Sequence, residues 1–212
     1  MLSCNEKGMN NYYEKKLAAV IRILGKLKKV SSVKLMKLLY IADKVHLNNY
    51  GRTISMDSFC AMQKGPVPSL SYDMIKKLYP VELQHSPECN LTPESIASLL
   101  NKYAEVKVED DKKVVCLKKE EASLYSFLSE SDIKTLDKVS TLFETTSDDS
   151  LVDLTHHFEE WKKFKEDLSN KKTSFRFPVQ DMVNRPESLA GLIDLDNFEF
   201  IKESLADASC SL

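Results

Sequence analysis

Four histidines and five cysteines are the residues of this 212-residue chain best suited to metal binding or nucleophilic catalysis. His156 and His157 are neighbours, so on a helix their side chains would diverge by about 100° and could not share one metal ion. No His-Glu-x-x-His sequence occurs. We therefore expect no metal site at these histidines, and interpret them as one buried, hydrogen-bonded residue beside an exposed one.

The cysteines are odd in number and contain no Cys-x-x-Cys pair. This pattern is typical of reduced thiols in the cytosol and not of a disulfide framework or a zinc knuckle. Cys60 and Cys116 could each act as a nucleophile beside a histidine, but both lie in strand-like stretches where a small core residue is the simpler interpretation. A glycine-rich phosphate loop is missing as well. The sequence thus indicates no enzyme, and we expect no cofactor.

The charge of the chain is nearly balanced, with 30 Lys and Arg against 32 Asp and Glu and a pI of about 6.1. Such a balance argues against a dedicated nucleic-acid-binding protein. The first helices are nevertheless basic, and the segment after Pro186 is acidic. A basic face could meet phosphate or an acidic protein, although a solvated face is the more common explanation. Its members are Lys15, Lys16, Arg22, Lys26, Lys28, Lys29, Lys34, Lys37 and Lys44.

The N-terminus shows no basic region followed by an apolar stretch, so it predicts no signal peptide. Apolar runs are too short to span a bilayer. We expect a cytoplasmic protein without a membrane partner.

Helical periodicity dominates the chain and predicts seven helical segments. Ser31 or Ser32 is suited to cap the second of them, Gly51 to end it, and Ser129 with Asp132 to form a capping pair. The segments are Tyr12–Leu27, Ser32–Gly51, Ser69–Tyr79, a helix starting at Thr92, Ile133–Phe143, Phe158–Leu168 and Glu187–Ala206.

Two passages have other patterns. Gly65-Pro66-Val67-Pro68 predicts a rigid turn after an extended stretch at Ile54–Gln63, and Val106–Leu117 alternates around a charged turn, as a β-hairpin does. We predict an α+β fold that is predominantly helical, a single compact domain with one small hairpin. Residues 1–175 would form the main domain, and 176–212 a helical extension packed on it.

Three separated blocks of the chain resemble the Panacea domain, the family of SocA-like antitoxins and certain phage-associated proteins. The first block is the helix Lys34–Asp43 with a downstream His and Gly, and the second is Phe59–Ser69 with its Gly-Pro-Val turn. The third places Thr155 and His156 shortly before Trp161. Together with the preceding helix they cover about residues 15–165.

The resemblance implies a non-enzymatic antitoxin that neutralises a cognate protein toxin by direct contact. It marks a set of family-motif residues as candidates for partner binding, and apolar helix faces leave a homodimer open. The candidates are Lys37, Tyr40, Asp43, His46, Gly51, Lys64, Gly65, Pro66, Val67, Pro68, Tyr72, Thr155, His156 and Trp161.

Some of these residues have an equally plain structural interpretation. Tyr40 and Trp161 lie on apolar faces and are better suited to the core than to a contact surface, whereas His46 and His156 could hold distant blocks together by hydrogen bonds.

Two other functions stay open. A DNA-binding regulator of winged-helix type would use the basic helices and the hairpin, although Arg22 is their only arginine and base readout favours arginine. The other alternative is an enzyme, a hydrolase that would use a cysteine and a histidine.

Overall fold

The computed structural model describes residues 4–77, 99–170 and 173–209, of which 4–12, 77 and 206–209 are described by their backbone only. Helix α1 spans Cys4–Leu27 and helix α2 spans Ser32–Tyr50. Every residue of α2 from 35 to 48 is buried. Helix α2 therefore runs through the middle of the protein.

The ends of α2 are those that the sequence predicts. The Ser31 hydroxyl accepts a hydrogen bond from the Lys34 N–H, and Gly51 follows the helix in the left-handed conformation with φ of 74°. These are the usual N-cap and C-cap devices, and they satisfy backbone groups that the helix leaves unpaired.

The predicted hairpin at Val106–Leu117 is confirmed as two strands, β4 (Ala104–Glu109) and β5 (Lys112–Leu117). Strand β1 (Lys29–Ser31) also pairs with β5, which gives an antiparallel sheet of order β1-β5-β4. The turn residues Asp110 and Asp111 both have positive φ, as tight hairpins with the favoured twist require.

A second antiparallel sheet was not predicted. Strand β3 (Gly65–Pro68) pairs with β2 (Phe59–Met62), and β2 pairs with β6 (Ser174–Phe177). The prediction of a turn at residues 65–68 was wrong, since the turn is Gln63-Lys64 and the prolines lie in a strand. Proline is tolerated there because β3 is at the edge of its sheet.

The other predicted helices occur in the predicted order with some corrected boundaries, and one further helix and two short 3₁₀ helices were not predicted. Helix α3 (Ser69–Lys77) ends where the described residues end, so the predicted end at Tyr79 and the predicted start at Thr92 lie outside the described residues. Helix α4 (Glu130–Leu142) has the capping box of Ser129 and Asp132. Short 3₁₀ helices lie at Ala122–Phe127 and Val179–Met182, and helix α5 is Asp148–His156.

Two predicted helices differ in the structure. The segment Phe158–Leu168 forms two short helices, α6 (Glu159–Lys162) and α7 (Lys165–Ser169). The last helix, α8, spans Leu195–Ser209, and only a 3₁₀ turn at Glu187–Leu189 lies where it was predicted to begin. The fold class is α+β and predominantly helical, as predicted. Among the described residues, no helix has the length and apolar character of a membrane span.

Candidate functional site

The turn of the β2–β3 hairpin is held by side chains from two distant parts of the chain. Lys37 Nζ of α2 donates to the Pro66 carbonyl at 2.8 Å. The Trp161 indole N–H donates to the Met62 carbonyl at 2.8 Å, and His156 Nε2 lies 3.1 Å from the Gln63 carbonyl. We call Lys37, His156 and Trp161 the hairpin clamp. All three sequence blocks that carry the resemblance thus meet at one turn.

Gly65 begins β3 and is enclosed by the clamp. Its φ is 93°, a region that L side chains rarely adopt. A Cβ at this position would lie 2.5 Å from Lys37 Nζ and 2.6 Å from Thr155 Oγ1. Both the backbone conformation and the close approach of two side chains therefore require glycine.

The side chains of His156 and Trp161 stack on each other beside the turn. Their rings are stacked with 3.8 Å between centroids, and Trp161 is buried. Burial lowers the pKa of His156, and the charge of Lys37 lowers it further. A neutral ring can donate from Nε2 to the Gln63 carbonyl, so this bond does not need a charged histidine.

The outer edge of β3 is closed to strand addition. Pro66 and Pro68 have no N–H, and they lie opposite Ala61 and Phe59 in the register with β2. The Pro66 carbonyl already accepts from Lys37. An edge whose two prolines offer no donor, and whose Pro66 carbonyl is already occupied, does not pair readily with another strand.

A groove of about 450 Å³ lies beside the hairpin. The first turn of α2 and the hairpin form part of its wall, together with Tyr72, Ile75 and Lys76 of α3 and with Val106 and Lys113 of the other sheet. The hairpin turn and this groove form one continuous surface, which we call the hairpin face.

About two turns further along α2, a buried polar group has quite different surroundings. Glu160 Oε1 accepts hydrogen bonds from the Tyr40 hydroxyl at 2.6 Å and from Lys44 Nζ at 2.8 Å. Asn184 donates to Glu160 Oε2 at 3.0 Å and accepts from Lys44 at 2.8 Å. We call these four residues the Glu160 network.

Three residues of the Glu160 network are closed to solvent, since Tyr40, Lys44 and Glu160 are each 0% exposed, and Asn184 is half-buried. Burial raises the pKa of Tyr40 well above its ordinary value, and Glu160 adds to the shift. Tyr40 therefore stays protonated and donates. The network joins α2 to α6 and to the C-terminal segment, so its role is structural.

A comparison with known protein families supports the resemblance that the three sequence blocks at the hairpin indicate. The family model described as antitoxin SocA-like, Panacea domain, matches residues 35–162, more than half of the chain. This chain belongs to that family. No curated protein and no solved structure is significantly similar to the chain.

The Panacea-domain residues Asp43 and His46 serve the loop that follows α2. Asp43 accepts from the N–H and the hydroxyl of Ser55 at 2.7 and 2.5 Å, and burial raises the pKa of Asp43 to about 7. His46 bonds through Nδ1 to the Arg52 carbonyl and lies 3.1 Å from the Ser131 hydroxyl. The prediction that His46 hydrogen-bonds within the domain is confirmed.

Few of the predicted partner-binding residues reach the surface of the Panacea domain. Gly51 and Lys64 are exposed, and Tyr72 and His156 are half-buried. The rest are buried, and they hold the hairpin or α2 in place; these are Lys37, Tyr40, Asp43, His46, Gly65, Pro66, Val67, Pro68, Thr155 and Trp161.

The predicted solvated basic face is wrong for three of its nine residues, because Lys16, Lys37 and Lys44 are buried. Arg22 forms two hydrogen bonds with Asp137, at 2.7 and 2.6 Å. Lys28 and Lys29 pair with acidic residues as well. Among the described residues of α1 and α2, most of the predicted basic face is therefore buried or paired, which does not favour the DNA-binding alternative.

Glu160 and Asn184 are central to the Glu160 network but were not predicted. Glu160 lies between His156 and Trp161 in the sequence. Its position on the apolar face of a predicted helix could have indicated a buried carboxylate. Asn184 has no such signal.

Among the described residues, no cluster of three or more His, Cys, Asp and Glu could hold a metal ion.

Proposed function

We propose that this protein is a cytoplasmic antitoxin that neutralises a cognate protein toxin by binding it directly. The family match over residues 35–162 is the observation that carries the proposal. We assign the binding surface to the hairpin face, where Gln63, Lys64 and Tyr72 are accessible.

The rigidity of the hairpin supports this assignment. Three side-chain hydrogen bonds and two prolines hold the turn in one conformation before any partner arrives. Binding to a preorganised surface loses less conformational entropy than binding to a mobile loop. Buried motif residues then act on affinity indirectly, through the position of the turn.

The direct test is co-expression with the product of the neighbouring gene. That product alone should arrest growth, and this protein should restore growth and co-purify with it. Restoration of growth without a complex would contradict direct binding. A failure to restore growth would contradict the antitoxin function itself.

Variants of the hairpin face locate the binding surface. Lys64→Glu combined with Tyr72→Ala should abolish both co-purification and rescue, while the protein still unfolds cooperatively at a temperature somewhat below wild type because Tyr72 packs against the core. Lys26→Glu is a suitable control because Lys26 is exposed and does not line the groove. Full rescue by the double variant would place the binding surface elsewhere.

A further inference from the structure

Several basic residues line the groove of the hairpin face. Lys37, Lys64, Lys76 and Lys113 contribute to its lining, which contains neither Asp nor Glu among the residues that the structure describes. The whole chain has a net charge of −2. A uniformly positive groove on a slightly acidic protein is thus a local feature.

Lysines elsewhere on the surface are commonly paired with carboxylates. Lys134 lies 2.7 Å from Glu130, and Lys162 lies 2.8 Å from Glu159. Within the described part of the chain, by contrast, Lys37, Lys64 and Lys76 form no ion pair with a carboxylate. Lys76 instead lies over the Tyr72 ring, 4.5 Å from its centroid. Lys64 and Lys76 therefore retain positive charge that an anionic partner can neutralise.

Lys37 is the buried member of this set, because only 1% of the residue is exposed to solvent. Its ammonium has three donors, and one hydrogen bond, to the Pro66 carbonyl, is seen among the described residues. A donor that is buried in the wall of a groove and lacks a carboxylate is suited to a ligand's oxygen atom. The N-terminal end of α2, at Ser32 and Val33, lies in the same wall and adds to the positive potential.

Apolar side chains form much of the remaining lining. The cavity volume of about 450 Å³ falls within the range of sites that take small ligands or a few side chains. An occupant that fills it must therefore be apolar in part and negatively charged around that part. The apolar lining residues are Val33, Met36, Met62, Val67, Ile75 and Val106.

The hairpin also limits how an occupant can bind. Because Pro66 and Pro68 remove the donors of the β3 edge, an added strand would find no regular hydrogen-bond partners there. The occupant must be recognised through its side chains, as a helix or loop would be.

We propose that the groove binds an acidic segment of a partner protein, in which apolar side chains enter the groove and flanking carboxylates meet the lysines. That the partner is a toxin rests on the proposed function. The chemistry of the segment rests only on the residues of the groove.

The test uses the full chain and a short fluorescent peptide in which Asp and Glu flank a central Leu-Phe pair. Fluorescence anisotropy should show saturable binding. Combining Lys64→Glu with Lys76→Glu should weaken binding by about tenfold or more, since two attractive charges become repulsive. A matched variant with Lys26→Glu and Lys202→Glu makes the same change in net charge outside the groove and should bind within about twofold of wild type.

Two peptide controls separate charge from apolar contact. Replacing Leu-Phe by Ser-Ser, or the acidic residues by Lys, should each abolish binding. Equal binding of all three peptides, or equal weakening by both double variants, would overturn the proposal. Displacement of the peptide by a short DNA duplex at matched affinity would also overturn it, because it would assign the groove to nucleic acid.

A second copy of this chain is the competing occupant. Helix α8 is acidic at Asp196, Glu199 and Glu203, and Phe200 on it is 70% exposed. Sedimentation should show the wild type to be monomeric at the concentrations of the peptide assay. A dimer that the Lys64→Glu/Lys76→Glu change dissociates would overturn the proposal and assign the groove to self-association.

The outcomes for the groove and for the antitoxin function are distinguishable. If the Lys64→Glu/Lys76→Glu variant still binds and neutralises the toxin, the groove proposal fails and the antitoxin function stands. If no toxin is neutralised while the peptide binds as expected, the antitoxin function fails and the groove proposal stands.

Discussion

Lys37 and Lys44 lie on one helix, seven residues and about two turns apart, and both are buried. Lys44 contacts the carboxylate of Glu160, the Asn184 amide and the Met182 carbonyl. Lys37 donates to a single backbone carbonyl and lies in the wall of the groove. One lysine belongs to an internal hydrogen-bond network, and the other belongs to the surface that we propose for binding.

The difference between the two lysines separates stability from function. A buried ion pair with all its hydrogen bonds made costs much to break, because each partner left alone is an uncompensated charge. Lys37 leaves no such partner behind when it is removed. We therefore expect loss of Lys44 or Glu160 to lower the free energy of unfolding strongly, and loss of Lys37 to affect mainly binding.

The largest effect is expected from Glu160→Ala. The change leaves Lys44 buried without its carboxylate and removes the acceptor of Tyr40, so the free energy of unfolding should fall by about 3–5 kcal/mol. Urea denaturation of wild type and variant measures it. The neighbouring Glu159→Ala is the control, because Glu159 is exposed and pairs only with Lys162 at the surface. Equal losses from both variants would show that the network has no special role.

Gly65→Ala should have the next largest effect. A Cβ would collide with Lys37 and Thr155 in addition to the strain of positive φ, and we expect a loss of ~2–3 kcal/mol. Gly51→Ala isolates the contribution of φ, since Gly51 has φ of 74° and nothing within 4 Å of the added Cβ. That control should lose about 1 kcal/mol in thermal or urea unfolding. If Gly65→Ala cost no more than Gly51→Ala, the close packing of the clamp would be refuted.

Lys37 should also make stability depend on pH in a defined direction. Burial lowers the pKa of Lys37 from 10.5 to about 7 in the folded protein. Between pH 7 and pH 10 the unfolded chain therefore binds a proton that the folded chain does not, and stability rises with pH by up to about 1.4 kcal/mol per unit. Below pH 7 both states bind the proton, and this dependence ends.

Urea denaturation of wild type and Lys37→Met across pH 7–9 tests this dependence. Burial also lowers the pKa of Lys16, to about 8, so only the difference between the two proteins reports on Lys37. That difference should change with pH in favour of the wild type as pH rises. Parallel curves for the two proteins would show that Lys37 does not titrate in this range.

The helices of the fold could be predicted where apolar periodicity and capping residues agree, as at Ser31 with Gly51 and at Ser129 with Asp132. The β2–β3 hairpin could not, because two prolines in four residues indicate a turn unless the strand is known to be at an edge. Strand β6 is too short and too far from β2 in the chain for any local signal.

The site was predicted as a set of residues but not as an arrangement. Lys37 and Lys44 were assigned to a solvated face, because lysine is rarely buried. The helix around them is apolar on all sides, at Leu38, Leu39 and Ile41 among others, and that pattern does indicate burial. The meeting of Lys37 with Pro66 and of Trp161 with Met62 depends on tertiary packing, for which spacing along the chain has no signal.

The measurement that tests the account most directly compares Lys37→Met with Lys44→Met in two assays, urea unfolding and toxin neutralisation. We predict that Lys37→Met remains folded at pH 7, within about 1 kcal/mol of wild type, and loses toxin binding. Lys44→Met should instead lose about 3–5 kcal/mol, because Glu160 is left buried and unpaired. Equal destabilisation by both variants, or full neutralisation by a folded Lys37→Met protein, would contradict the division between an internal network and a binding surface.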